Sequence, residues 1–260
     1  MAQLSTFLGI LGFDEQGTGD SLPIVFLHGV GSDKSVWRRQ LDHFGASRRA
    51  VAFDYPGYGE SEPVDSDSHY DFALSIRSAM DALGIAQAHI CGLSLGGVIA
   101  IAMHAAAPDR CGSLILADTF AEHPEGAAIY HRSLEASRDP GMRALAEGRV
   151  GALLTSQDPD LRSEVIETMS RIDPLAYRIG AHEVWLADQS DSVGAIAVPT
   201  LVIVGEDDQI TPPDLSRELH NAIPGSRLEL IANASHLANL DQPQEFNRLV
   251  EDFIAAVDRG

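Results

Sequence analysis

The chain has 260 residues, 45% of them hydrophobic and 22% charged, a composition that leaves room for a sizeable core and excludes a disordered, collagen-like or coiled-coil protein. Acidic residues outnumber basic ones 38 to 18, for a formal charge of −20, so nucleic-acid backbones and anionic membrane surfaces are repelled at long range and neither is expected as a partner. The two cysteines, Cys91 and Cys111, sit beside apolar runs and read as small buried thiols, without a disulfide.

In chain order, the opening MAQLSTFLGILGFDEQG carries no positive charge ahead of its apolar stretch and is broken by glycines and acids, which argues against a secretory signal. The longest nearly uncharged run, Ile90 to Met103, is shorter than the ~20 residues of a membrane span. A reduced, cytoplasmic protein is the expectation. Short β-rich runs follow at Ile24–Leu27, Ala50–Phe53, His89–Cys91, Leu114–Leu116, Leu201–Val204 and Arg227–Ile231, with longer helical patterns between most of them. Phe72, Ile76, Ala79, Met80 and Leu83 repeat at helical spacing within Tyr70 to Leu83, and Gly84 is a stop signal. Leu95 to Ala106 is apolar nearly all round, as in a helix buried on a sheet, and Pro108 ends it. Phe246 to Val257 is amphipathic. The alternation predicts an α/β protein with a mostly parallel sheet flanked by helices. Residues 122–191 break the rhythm: they read as short helices, with four arginines between residues 132 and 149, and form a helical insertion into a core made of residues 1–121 and 192–260.

The run His89-Ile90-Cys91-Gly92-Leu93-Ser94-Leu95-Gly96-Gly97 places G-x-S-x-G between a strand and a helix. So tight a turn needs small residues at Gly92 and Gly96 and leaves the Ser94 hydroxyl exposed at the strand end, where it can attack a carbonyl. The amide of Leu95, at the helix N-terminus, is then available to an oxyanion. A serine needs a positioned base and a group that holds the base. Of the ten histidines, His236 follows the last strand in a loop that reaches the carboxyl edge of the sheet, where such sheets carry chemistry. His28 belongs to an early strand end. His43, His69, His89, His104, His123, His131, His182 and His220 have no partner pattern. The acid should precede the histidine. Asp208, 28 residues before His236 in Gly205-Glu206-Asp207-Asp208, is favoured, with Asp207 and Asp118 as alternatives.

With Ser94, Asp208 and His236 in that order, the whole chain resembles the α/β-hydrolase superfamily. His28-Gly29-Val30-Gly31 is similar to its His-Gly oxyanion loop, which implies that the Val30 amide is the second oxyanion donor. Phe53 to Ser61 resembles its D-x-x-G-x-G-x-S turn, and Gly205 to Pro213 and His236 to Pro243 resemble its acid and base loops. Gly92 to Gly97, Leu116-Ala117-Asp118-Thr119, Gly141-Met142-x-Ala144-Leu145 and Asp173-Pro174-x-x-Tyr177 bring the chain nearest to the 3-oxoadipate enol-lactonase-like group of small carboxylic-ester hydrolases. Where those place a tryptophan and an arginine in the first insertion helix, this chain has Tyr130 and the neighbourhood of Arg132 and Ser133.

The resemblance implies a serine esterase or lactonase cleaving a small ester, lactone or enol-lactone with water, through an acyl-serine, as a monomer or homodimer. Carbon–carbon bond hydrolysis of meta-cleavage type is the alternative enzyme reading, and a small-ligand receptor the alternative outside enzymes. Serine at the elbow disfavours dehalogenase chemistry. Neither a metal nor a nucleotide motif occurs, so no cofactor is expected. Ile129, Tyr130, Leu134, Met142, Leu145, Leu153, Leu154, Met169 and Trp185 of the insertion are the candidate pocket wall or its own packing, and Trp37 is either a wall or core. The net charge favours a neutral substrate unless cap arginines such as Arg132 or Arg178 reverse the field locally.

Overall fold

In the computed structural model, which describes residues 2–65 and 70–260, eight strands form one sheet in the order β1-β2-β4-β3-β5-β6-β7-β8. The strands are β1 (Ala2–Thr6), β2 (Gly9–Gln16), β3 (Ile24–Leu27), β4 (Ala50–Phe53), β5 (Ala88–Leu93), β6 (Cys111–Ala117), β7 (Thr200–Gly205) and β8 (Arg227–Ile231). From β4 to β8 every pairing is parallel, while β1 and β2 form an antiparallel edge. The six predicted strands are all present. The β1–β2 hairpin was not predicted, because its glycines and acids mask an alternation in which only Leu11 and Gly12 are fully buried. His69 lies outside the described residues.

Helices α1 (Arg38–Phe44) and α11 (Pro243–Asp258) cover one face, and α2 (Phe72–Ala82) and α3 (Leu95–Ala106) the other. The strands alternate between the two layers with period two. Val25, Leu27, Ile90 and Leu116 pack with α2 and α3, whereas Ile24, Phe26, Cys91 and Ile115 pack with α1 and α11. Both cysteines are free and buried.

Between β6 and β7 the chain makes α4 (Gly126–Ala136), α5 (Met142–Leu153), α6 (Pro159–Ser170), α7 (Pro174–Trp185) and the short α8 (Ser190–Val193). Asp158 and Asp173 cap α6 and α7 through their side chains, and Pro159 and Pro174 take the first helical position, where no amide is needed. After β7 come α9 (Pro213–Ala222) and the short α10 (Ala238–Asp241). Because β4 and β5 flank β3 on opposite sides, the strand order reverses there, and Leu27 stands beside Gly92 at the carboxyl edge. A reversal of this kind opens a crevice suited to a ligand.

Candidate active site

Ser94 bridges β5 and α3 with φ 54° and ψ −114°, a conformation few non-glycine residues adopt. The turn is held by close backbone approaches: a Cβ at Gly92 would strike the Gly96 carbonyl, and one at Gly96 the Leu27 carbonyl. Ser94 N–H donates to Ala117 O at 2.9 Å, and Ser94 O accepts from Gly97 N at 2.9 Å and Thr119 Oγ1 at 2.8 Å. The backbone is thus tied down, while the buried Oγ has no hydrogen-bond partner among the described residues.

The loop after β3 lies against this turn, so that a Cβ on Gly29 would sit 3.5 Å from Ser94 Cβ. His28 supports the loop from beneath: it is fully buried, Nδ1 donates to Gly29 O at 2.8 Å, and its own carbonyl accepts from Tyr55 Oη at 3.0 Å. Burial holds its imidazole below the usual histidine range. Among the described residues the amides of Val30 and Leu95 donate to nothing.

His236 Nδ1 donates to Asp208 Oδ2 at 2.9 Å, and both side chains are buried. Asp208 Oδ2 also accepts from Thr211 Oγ1 at 2.6 Å, and Oδ1 from the amides of Ile210 at 2.7 Å and Thr211 at 3.0 Å. Burial pushes this carboxyl up, but the adjoining His236 imidazole and the Thr211 donors outweigh it and hold it below the usual carboxylate range. The alternatives fall elsewhere. Asp207 is exposed. Asp118 is fully buried, and its Oδ1 accepts from Gly205 N at 2.9 Å, so it supports the start of the acid loop and makes no bond to His236.

Ser94 and His236 share a cavity of about 20 Å³ with Val30, Arg149, Leu153 and Met169. Leu153 and Met169 were among the candidate wall residues, whereas Arg149 was not singled out; its signal is its place four residues before Leu153, on the same helical face. None of Trp37, Ile129, Tyr130, Leu134, Met142, Leu145 or Trp185 lines this cavity. Trp37 is fully buried between Phe26 and Phe246, at 4.9 and 5.9 Å. Trp185 stacks on Phe120 at 5.9 Å. Met142 is buried, Ile129 and Leu145 pack partly buried on the core, and Leu154 is buried on the α1–α11 side. Tyr130 and Leu134 face a separate cleft of about 320 Å³ between α4 and α7, with Arg138 and Arg178. Arg132 is exposed, 3.9 Å from Glu125.

The doubly flanked, mostly parallel sheet and the serine turn at its edge define an α/β hydrolase: residues 23–243 match the alpha/beta hydrolase fold family, and the chain belongs to it. Among its relatives, 3-oxoadipate enol-lactonase 1 of Acinetobacter baylyi is 25% identical over 244 residues, covering 93% of this chain and 91% of that one. A 2-hydroxy-6-oxononadienedioate/2-hydroxy-6-oxononatrienedioate hydrolase of Pseudomonas putida is 30% identical over 266 residues, covering 94% and 91%. The crystal structure of the enol-lactonase from Burkholderia xenovorans superposes with a TM-score of 0.91 at 28% identity, over 98% of this chain and all (100%) of that one. No helix among the described residues is long and apolar enough to cross a membrane.

Proposed function

We propose that the protein is a carboxylic-ester hydrolase that cleaves a small ester, lactone or enol-lactone through an acyl-serine on Ser94, with residues 122–191 as a cap over the site. One observation carries this reading: the unpartnered, buried Ser94 and the His236 imidazole, held from behind by Asp208, line one cavity together with Val30. Ser94 Oγ attacks the carbonyl carbon while His236 Nε2 takes its proton. Asp208 holds Nδ1–H and stabilises the imidazolium. The amides of Val30 and Leu95 receive the oxyanion. His236 then protonates the leaving alcohol, and water repeats the sequence on the acyl-serine.

Ser94→Ala is expected to lower kcat on short-chain esters by ~10⁴-fold or more, with the wild type alone yielding a trapped acyl adduct by mass spectrometry. Turnover near that of the wild type would refute the reading. The Pseudomonas putida relative, named for hydrolysis of a 2-hydroxy-6-oxononadienedioate, supports a second reading on the same residues, carbon–carbon bond hydrolysis. Parallel assays of a meta-cleavage product and an ester separate the two.

A further inference from the structure

The two candidate oxyanion amides are held by different means. Leu95 N–H sits at the first position of α3, behind a serine whose backbone is tied on both sides by hydrogen bonds. In the loop after β3 the ties stop at Gly29, whose carbonyl accepts from His28 Nδ1 at 2.8 Å and from Ser32 N at 3.1 Å. Val30 and Gly31 make no backbone–backbone hydrogen bond among the described residues, which leaves side-chain packing to fix the Val30 amide. Val30 is buried, and its Cγ2 faces the backbone of α7: a Cβ on Gly180 would sit 3.2 Å from it. The same Cβ would strike Tyr58 Oη. Tyr58 stands in the turn after β4, fully buried, with its ring 5.1 Å from that of His28 and edge-on to Phe72 at 6.3 Å. Its hydroxyl has no hydrogen-bond partner among the described residues, so its contact with α7 is one of shape. One turn before Gly180 the same packing recurs, where a Cβ on Gly57 would lie 2.7 Å from Ala176 Cβ.

We propose that Gly180 is a positioning residue for the oxyanion loop: having no side chain, it lets α7 close on Tyr58 and press on Val30, so that this helix sets where the Val30 amide points. The proposal rests on the hydrolase reading above. Glycine inside a helix is disfavoured against alanine. Propensity alone would put alanine at position 180, and the space taken by Tyr58 and Val30 supplies the reason against it. An oxyanion donor works only within hydrogen-bond distance of the oxygen in the transition state. A misplacement of about 1 Å costs roughly a hundredfold in rate. Because the carbonyl oxygen gains its charge only during attack, a displaced Val30 amide weakens the transition state more than the bound substrate, and the loss falls on kcat rather than KM.

Kinetics of the full-length protein on short-chain esters test this. Gly180→Ala is expected to lower kcat by roughly tenfold to a hundredfold, with KM changed less than threefold. It should also weaken inhibition by butylboronic acid, whose tetrahedral serine adduct fills the oxyanion position, at least tenfold. Adding Tyr58→Phe removes the struck oxygen without breaking a hydrogen bond and should recover at least threefold in kcat. A kcat within threefold of the wild type would overturn the proposal. So would a loss that leaves boronate inhibition unchanged or that Tyr58→Phe does not relieve, since either assigns Gly180 to packing alone. If Gly180→Ala does not fold, Val30→Ala removes the contact from the other side and should show the same fall in kcat at a steady KM; an unchanged kcat overturns the proposal. If the wild type neither turns over an ester nor binds the boronate, the hydrolase reading fails on its own account. The backbone amide NMR spectrum then decides: the Val30 and Gly31 resonances should shift in Gly180→Ala and return with Tyr58→Phe while that of Leu95 stays, and unmoved resonances overturn the positioning role.

Discussion

Replacing Asp118 by asparagine distinguishes a buried carboxyl held neutral from one held charged. Asp118 directly follows β6 with no exposed surface, and its Oδ1 accepts from Gly205 N at 2.9 Å. Burial, and after it the charge of Asp208, push this carboxyl well above the usual carboxylate range. A group raised in this way stabilises the fold below its unfolded pKa of about 3.9. That contribution is lost as pH climbs toward the folded pKa, because the fold keeps a proton that the unfolded chain has released. One proton of difference costs the wild type about 1.4 kcal/mol for each pH unit in that window. Asparagine has the shape of the neutral acid, can accept from Gly205 N, and tolerates the φ of 47° at this position. Relative to the wild type, Asp118→Asn is therefore expected to gain stability as pH rises above the unfolded pKa, by up to about 1.4 kcal/mol per pH unit for as long as the fold keeps the proton. Urea unfolding of both proteins at pH 5, 6 and 7, with m held common, measures the margin. Parallel stability curves would refute the reasoning, since they mean that Asp118 ionises normally within the fold.

Asp208→Asn is expected to lower kcat by ~10⁴-fold, as the equivalent change does in serine proteases, because an amide N–H₂ must face either the His236 and Thr211 side chains or the Ile210 and Thr211 amides, all of which donate; a loss below tenfold would detach the carboxylate from the chemistry. Lys34→Met removes the cation 2.9 Å from the fully buried Asp54 and should cost about 3–5 kcal/mol. Calorimetry would register this as a fall in Tm of roughly 10 °C, and an unchanged Tm would mean that the backbone amides satisfy Asp54 unaided.

The features most legible in the sequence were those encoded within a few residues. Gly92, Ser94 and Gly96 specify a turn whose backbone contacts admit no larger side chain, and the apolar runs of β3 to β7 have no solvent face to disguise them. The Asp208–His236 pairing was readable because both residues lie in loops that follow neighbouring strands, β7 and β8, at the same sheet edge. The cavity wall was not readable in the same way. The helices between β6 and β7 are amphipathic toward one another as well as toward the core, so hydrophobic periodicity marks Tyr130 and Leu134 as strongly as Leu153, yet only the last shares a cavity with Ser94. Arg149 was hidden because a charge on a cap helix ordinarily reads as solvated. Thr211 appeared only as part of the acid-loop pattern, and its bond to Asp208 Oδ2 depends on how that loop closes.

Helices α5 and α6 are not held equally firmly, and under the proposed reading this bears on how a substrate would find room. A cavity of about 20 Å³ holds one water molecule, too little for an ester. The C-terminal end of α5 is joined to the loop that carries His236: Leu237 N donates to Leu153 O at 3.0 Å and Ser235 Oγ to Ala152 O at 2.8 Å, while Asp241 accepts from Thr155 N and Ser156 N, both at 2.9 Å. Thr155 Oγ1 also donates to Asn233 O at 2.9 Å. At about 0.5–1.5 kcal/mol net for each bond, swinging α5 aside costs several kcal/mol and disturbs the base loop as well. On the α6 side, the buried Met169 lies over Gly31, close enough that a Cβ on Gly31 would sit 3.3 Å from Sδ. An unbranched thioether side chain with three rotatable bonds adapts to its surroundings more readily than a branched one. Of the two movements the one at Met169 disturbs fewer hydrogen bonds, and it leaves Arg149, on α5, in place relative to His236.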